Sequence, residues 1–260
     1  MKAVFFDIDG TLWDNHTVIP QSTKMAIKKL KENGHLSFIC TGRTRSFIYA
    51  PELLNLGFDG IVAGCGTYIE EHGKEIFYKG LTIEEIEKAL GIFRMHHLPV
   101  VMEGKHYMYL DEAEYADKDY TEKMKKQMGE KLQPITGNEG KWEISKFTCH
   151  IEGGELEPVI EKLKDEYEIM IHEVPMAEFV PKGYSKASGI KKACELLNIK
   201  WEDTYAFGDS VNDLAMLRYV AHGIAMGNGT KAAKEAAEYV TSDIHEDGIY
   251  KGLVHYGLIE

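Results

Sequence analysis

Two aspartates one residue apart, Asp7 and Asp9, follow directly on an apolar stretch at the head of the chain, within Asp7-Ile8-Asp9-Gly10-Thr11-Leu12. A carboxylate so placed can attack a phosphoryl group to give an aspartyl phosphate, which divides one hard displacement into two easier ones. A second acid nearby can protonate the leaving oxygen and then deprotonate the attacking water. Gly10 allows the tight turn that brings Asp9 back toward the site. Taken alone, the hexapeptide also fits a solvated Asp-x-Asp-Gly turn, the weaker of the two readings.

Three further signals supply what that chemistry lacks. Thr41-Gly42-Arg43 offers a hydroxyl and adjacent backbone N–H groups, a natural cradle for a phosphate at a strand-to-helix turn, although Thr-Gly also serves as a plain helix cap. Lys186, after Tyr184-Ser185, is a compact cation able to neutralise a phosphate and a nucleophilic carboxylate together; a lone lysine is more often a solvated surface group. Gly208-Asp209-Ser210-Val211-Asn212-Asp213 clusters hard oxygens suited to Mg²⁺, which keeps several waters and takes one or two carboxylates. The same residues would also cap a helix and complement its dipole. Nucleophile, cradle, counter-charge and metal ligand together make a phosphoryl-transfer site.

The elements that must position these residues alternate. Ala3 to Phe6, Leu36 to Cys40, Gly60 to Ala63 and Thr204 to Phe207 read as short buried strands. Pro20 opens a helix that stops at Gly34, and a helical stretch is expected from Arg45 to about Leu56. Such a rhythm predicts βαβ units in an α/β, doubly wound and mostly parallel Rossmann-like sheet. All four signals then fall at strand ends or at the helix start beside one, where ligands bind in open sheets. Thr67 to Glu71 and Lys74 to Tyr78, around His72-Gly73, read as a hairpin. From about residue 81 to 182 the texture becomes a mixed α+β module, and the α/β rhythm returns after Pro181-Lys182-Gly183. The expected organisation is a discontinuous core of residues 1–80 and 183–260 interrupted by an inserted module of residues 81–182.

Bulk properties narrow the classes. The chain has 260 residues and a formal net charge of −12, which disfavours nucleic acid as a partner because phosphate backbones demand a basic surface. Its four scattered cysteines form no Cys-x-x-Cys pair, as expected of a reduced, cytoplasmic protein. No apolar run approaches the ~18 residues that span a bilayer. Gly64-Cys65-Gly66 and Gly227-Asn228-Gly229 lack the third glycine of a dinucleotide fingerprint. His96 and His97 diverge by about 100° on a helix and make a poor chelating pair. Trp13 either lines the crevice or packs.

In combination these motifs resemble the haloacid dehalogenase (HAD) superfamily of phosphohydrolases, in particular its Cof-type branch with an inserted α/β cap. The resemblance implies that Asp7 is the nucleophile and a magnesium ligand, and that Asp9 is the general acid/base and binds magnesium through its carbonyl. It places the phosphate on the backbone of Ile8, on Thr41 and Gly42, and on Lys186 and Asn212. Asp209 completes the magnesium ligands and Asp213 supports them. Residues 81–182 would be the cap that closes over the site and chooses the substrate, with specificity expected near Tyr107 to Glu112 or Glu173 to Phe179. Cys65-Gly66 stands where the family often has Asn-Gly, and Met226-Gly227-Asn228-Gly229 resembles its Met-Gly-Asn-Ala.

The expected activity is Mg²⁺-dependent hydrolysis of a small phosphorylated metabolite, a sugar phosphate or a phosphorylated cofactor. A phosphomutase using the same intermediate and a non-catalytic binding protein are the rivals; retention of both Asp7 and Asp9 argues against the second. Nothing in the sequence fixes an oligomeric state.

Overall fold

A computed structural model of the chain describes residues 1–151, 153–172 and 175–260. It has two compact units. The first comprises Met1–Arg43, Tyr49–Tyr78 and Ser185–Glu260; the second comprises Thr44–Ile48 and Lys79–Tyr184. Strands β1 (Ala3–Phe6), β2 (Leu36–Cys40), β3 (Gly60–Ala63), β4 (Tyr68–Glu71) and β5 (Lys74–Tyr78) belong to the first unit. Then come β6 (Val100–Glu103), β7 (Met108–Tyr109), β8 (Leu132–Gln133), β9 (Lys146–His150), β10 (Tyr167–Ile171) and β11 (Met176–Pro181) of the second. The chain returns to the first with β12 (Thr204–Gly208), β13 (His222–Ala225) and β14 (Tyr239–Val240).

The sheet of the first unit runs β14-β13-β12-β1-β2-β3-β4-β5. Pairing from β14 through β3 is parallel, and β4 and β5 add the antiparallel hairpin read from the sequence. Ala3 to Phe6 are all buried, as a central parallel strand covered on both faces demands. On one face Phe5 stacks on Phe38 with ring centroids 5.0 Å apart, among buried residues of the helices Lys186–Leu197, Leu214–Tyr219 and Lys231–Ala236. On the other, Phe6 stacks on Phe207 at 5.2 Å, and Gly252 of the helix Gly248–His255 sits against Phe207. Helices on both faces of a mostly parallel sheet make this the doubly wound α/β fold.

The stretch from Arg45 to about Leu56 is not one helix. It holds a single 3₁₀ turn, Arg45–Phe47, and a short helix, Pro51–Leu54. Pro51 forces Ala50 out of the helical region (φ −64°, ψ 118°), so helical pairing cannot cross the junction.

In the second unit a six-stranded sheet, β10-β11-β9-β6-β7-β8, has one apolar face. Val100, Met102, Phe147, Cys149, Ala177 and Phe179 pack there with buried residues of the helices Ile83–Met95 and Leu156–Leu163. The first of these helices starts at a full capping box, Thr82 with Glu85. Thr44–Ile48 joins this unit through Ser46, whose hydroxyl donates to the carbonyl of Gly104 at 2.7 Å.

Two helical glycines separate packing from propensity. A Cβ on Gly189 would lie 2.6 Å from both Gly66 Cα and Val62 Cγ1, whereas one on Gly91 would meet nothing within 4 Å. Gly189→Ala is expected to lower stability by about 1–3 kcal/mol through overpacking. Gly91→Ala should raise it by up to about 1 kcal/mol through helix propensity. Chemical denaturation of both variants checks the pair of signs.

Candidate active site

The strand ends converge as the sequence requires. Asp7 follows β1, Thr41 follows β2 and Asp209 follows β12, three adjacent parallel strands in the order β12-β1-β2. The Asp7 N–H donates to the carbonyl of Phe207 at 3.0 Å, which extends the ladder by one residue and fixes the aspartate at the C-terminal end of the strand. Lys186 is the first residue of its helix, set there by a capping box between Ser185 and Ser188.

Lys186 is 1% exposed and its ammonium is fully engaged. It donates to Asp7 Oδ1 at 2.7 Å, Asp213 Oδ1 at 2.6 Å and Asn212 Oδ1 at 3.2 Å. Asp213 spends its other oxygen on the backbone N–H groups of Asp209 and Ser210, at 2.9 and 3.0 Å. It therefore shapes the loop that presents Asp209. Thr11 donates to Asp209 Oδ1 at 2.9 Å, and Asn228 Nδ2 donates to the Gly10 carbonyl at 2.7 Å. Gly10 has φ +78°, and a Cβ there would lie 2.4 Å from Asp209 Oδ2. Only glycine lets the first loop pass so close to that carboxylate.

The charges set the electrostatics. Burial, and then the neighbouring Asp213 charge, push the Asp7 carboxyl well above the usual carboxylate range, against the pull of Lys186. Burial works against the Lys186 ammonium, but Asp213 and Asp7 outweigh it and hold its pKa well up. Burial and Asp213 raise Asp209 to about 6. One ammonium among crowded carboxylates leaves the site short of positive charge.

Asp7, Asp209 and Asp213 each offer an oxygen within 4.8 Å of the others. Since Asp213 is committed to Lys186 and two N–H groups, two carboxylates remain for an ion. Hard oxygen donors in that number fit Mg²⁺, which completes its shell with water and substrate oxygens.

Asp9 stands outside the Lys186 group. Arg43 grips it bidentately, Nε to Oδ2 at 2.8 Å and Nη2 to Oδ1 at 2.7 Å, and Trp13 Nε1 donates to Oδ1 at 2.9 Å. Burial works against ionisation of Asp9, but Arg43 and Trp13 prevail and hold its carboxyl below the usual range. The guanidinium also lies over the Trp13 ring, 5.3 Å from its centroid. Ile8 is buried, and its carbonyl accepts from the N–H groups of Leu12 and Trp13 at 3.0 and 3.2 Å. Thr41 is buried and its hydroxyl accepts from the Arg43 N–H at 3.2 Å, with Gly42 between them in the turn.

The sequence motifs contain Thr11, Arg43 and Asn228, but nothing in their pattern reveals their partners. Arg43 borders the Thr41-Gly42 turn, and Asn228 lies in a Gly-rich loop some 200 residues from the carbonyl that it holds (218 in sequence). Trp13 is packed, and its buried indole N–H, which requires an acceptor, finds one in Asp9. His96 and His97 belong to the second unit. Cys65 is buried at φ +53°, a backbone setting that asparagine tolerates and cysteine rarely adopts.

The pattern of the haloacid dehalogenase-like hydrolases matches residues 4–253, nearly the whole chain. The chain belongs to that family. With it come full-length relatives. The chain is 34% identical to "Putative phosphatase YkrA" of Bacillus subtilis (strain 168), over 100% of this chain and 99% of the relative. It is 29% identical to "5-amino-6-(5-phospho-D-ribitylamino)uracil phosphatase YwtE" of the same organism, over 96% of each. Among solved structures it resembles the HAD subclass IIB sugar phosphatase BT4131, with a TM-score of 0.85, 30% identity and 100% coverage of both chains. This HAD hydrolase is a phosphatase of the superfamily, of the Cof type. Among its described residues no helix is long and apolar enough to cross a membrane.

Removing the buried cation isolates what it does. Lys186→Met leaves Asp7 and Asp213 facing each other without compensation, and is expected to destabilise the fold by about 3–5 kcal/mol at neutral pH. Mild acidification should recover part of the loss, because a proton on one carboxylate relieves the repulsion. Thermal unfolding of the variant at several pH values measures both effects.

Proposed function

We propose that this chain is a Mg²⁺-dependent phosphomonoesterase that hydrolyses a small phosphorylated metabolite through an aspartyl phosphate on Asp7. The observation on which this reading rests most is the Lys186 ammonium held between Asp7 and Asp213 beside Asp209. A buried carboxylate with a fixed counter-charge and a neighbouring metal-ligand carboxylate is what an aspartyl nucleophile needs.

Lys186 occupies Asp7 Oδ1, so Oδ2 is the oxygen offered to phosphorus. In the first step Asp7 Oδ2 bonds to phosphorus and the ester oxygen leaves with a proton from Asp9. In the second, Asp9 takes a proton from water, whose oxygen attacks phosphorus; the P–Oδ2 bond breaks and phosphate departs. The Arg43 grip keeps Asp9 ionised, the state that the second step uses; before the first step Asp9 must leave the guanidinium and carry a proton, taken from solvent or kept from the preceding turnover. The Ile8 backbone, Thr41, Gly42, Lys186 and Asn212 are assigned to the transferring phosphoryl oxygens, with Lys186 exchanging its longest bond, to Asn212 Oδ1 at 3.2 Å, for one of them. Asp7, the Asp9 carbonyl and Asp209 are assigned to Mg²⁺, with Asp213 supporting them. When bound, the ion neutralises phosphoryl charge and orients the phosphate for in-line attack. A low-dielectric pocket strengthens each of these contacts.

Substrate selection is assigned to the second unit. Of the spans expected to carry it, Glu173 and Val174 lie outside the described residues. Two of the proteins similar to this chain are named for a phosphoribitylamino uracil and for a sugar phosphate. A sugar phosphate or a phosphorylated cofactor is the corresponding proposal for this chain.

Phosphate release from a panel of phosphorylated metabolites, with and without Mg²⁺, tests the reading. Turnover is expected without any bisphosphate activator, to cease with EDTA and to return with excess Mg²⁺. Asp7→Asn should lose on the order of 10³-fold or more in kcat, and Asp9→Asn about 10²–10⁴-fold. Full activity of Asp7→Asn, or turnover that resists chelation, would overturn the assignment.

A further inference from the structure

The two loops that carry the candidate metal ligands repel each other. Asp7 and Asp9 belong to the loop after β1 and Asp209 to the loop after β12, and Asp7 and Asp209 bring carboxylate oxygens within 4.8 Å. Like charges at that range resist approach. Yet Gly10 runs so close to Asp209 that a Cβ on it would lie 2.4 Å from Oδ2. The separation of the loops must therefore be held mechanically.

A third loop, residues 226–230 after β13, touches both. The Thr230 N–H donates to the Asp209 carbonyl at 2.7 Å. Asn228 Nδ2 donates to the Gly10 carbonyl at 2.7 Å, one residue beyond the Asp9 carbonyl assigned to the ion. Gly229 lets this loop lie against Asp209, since a Cβ there would stand 2.9 Å from the Asp209 carbonyl oxygen and 3.1 Å from its Cα.

The third loop is itself braced from behind. Asn228 Oδ1 accepts from the Ile244 N–H at 2.9 Å, and the Gly227 N–H donates to the Ser242 carbonyl at 2.9 Å. Asn228 thus commits both ends of its amide to backbone groups of two other loops. The residue is exposed, so water can satisfy both groups if the amide is removed. Water restores the hydrogen bonds but fixes no distance, so the loss falls on geometry more than on folding.

We propose that Asn228 is a positioning residue for the metal: through the Gly10 carbonyl it fixes the spacing between the first loop and Asp209, and that fixed spacing selects Mg²⁺ over Ca²⁺. Mg²⁺ demands near-ideal octahedral geometry with oxygens at about 2.0–2.1 Å, whereas Ca²⁺ accepts irregular shells at about 2.3–2.6 Å. A strut between the loops matters for the smaller, stricter ion and little for the larger one.

This inference rests on the Mg²⁺-dependent reading above. Its test is metal binding by the full chain without substrate: the melting temperature is followed against MgCl₂ and, separately, CaCl₂, and each series gives an apparent Kd. For Asn228→Ala the Mg²⁺ Kd should rise about 3- to 10-fold, while the Ca²⁺ Kd should change by less than about twofold. The Mg²⁺ concentration for half-maximal phosphate release from p-nitrophenyl phosphate should rise in step. Asn228→Ser, too short to span from Ile244 to Gly10, should give the same result and serves if the alanine variant does not fold. A merely structural role would lower the metal-free melting temperature and leave both Kd values in place. That outcome, or an equal loss for the two ions, would overturn the inference and leave the phosphatase reading standing. A wild-type chain that Mg²⁺ neither stabilises nor activates would overturn the Mg²⁺-dependent reading itself.

Discussion

The first unit is organised around one desolvated cation. Lys186 is buried at a point where three oxygens from two other segments meet it, and no water is needed to satisfy it. A charge in such a place is tolerable only with its partners in position. The helix start at Ser185, the end of β1 and the loop after β12 must therefore arrive in one register. The fold and the electrostatics are one constraint: whatever misplaces a partner leaves a charge uncompensated in the interior.

From that constraint the loops acquire their shapes. Asp213 holds the lysine with one oxygen and the backbone of Asp209 and Ser210 with the other, so the counter-charge and the candidate metal ligand share a support. Gly10 passes against Asp209, and Asn228 fastens the Gly10 carbonyl from a third loop. Each loop is short and fixed by one or two bonds to a neighbour, with the rigid parallel sheet beneath. Sites held this way keep their geometry through preorganised support.

Much of this was legible in the sequence because its cause is local. Short, mostly apolar runs leading into Asp7, Thr41 and Gly208-Asp209 mark buried strands ending in polar turns, and parallel pairing brings those ends together. Lys186 stood out in the sequence through its company, although a single lysine has no pattern, and its side chain meets Asp7 and Asp213. What the sequence withheld is long-range pairing. No periodicity reveals that Arg43 holds Asp9, that Trp13 serves the same carboxylate, or that Asn228 reaches Gly10. The helix expected over Arg45 to Leu56 failed for a local reason that was visible, the proline at 51. The polar face of the second sheet was hidden by its alternation with core residues, since Glu103, Lys146 and Glu178 look like ordinary solvent-facing positions until the register is known.

The tight approach of Gly66 to the start of the Lys186 helix has a consequence for how the chain can be rebuilt. A Cβ on Gly66 would lie 2.5 Å from the Ser185 carbonyl, and two residues further on Tyr68 pairs with Tyr78. The points where the backbone leaves the first unit, after Tyr78, and rejoins it, at Ser185, are thus both anchored to one short segment. Closing a loop between neighbouring anchors carries an entropy that grows only with the logarithm of its length. Residues 79–184 accordingly bridge two neighbouring anchors, and the parent sheet places little demand on the length of what joins them; only Thr44–Ile48, which packs with that module through Ser46, would have to change with it.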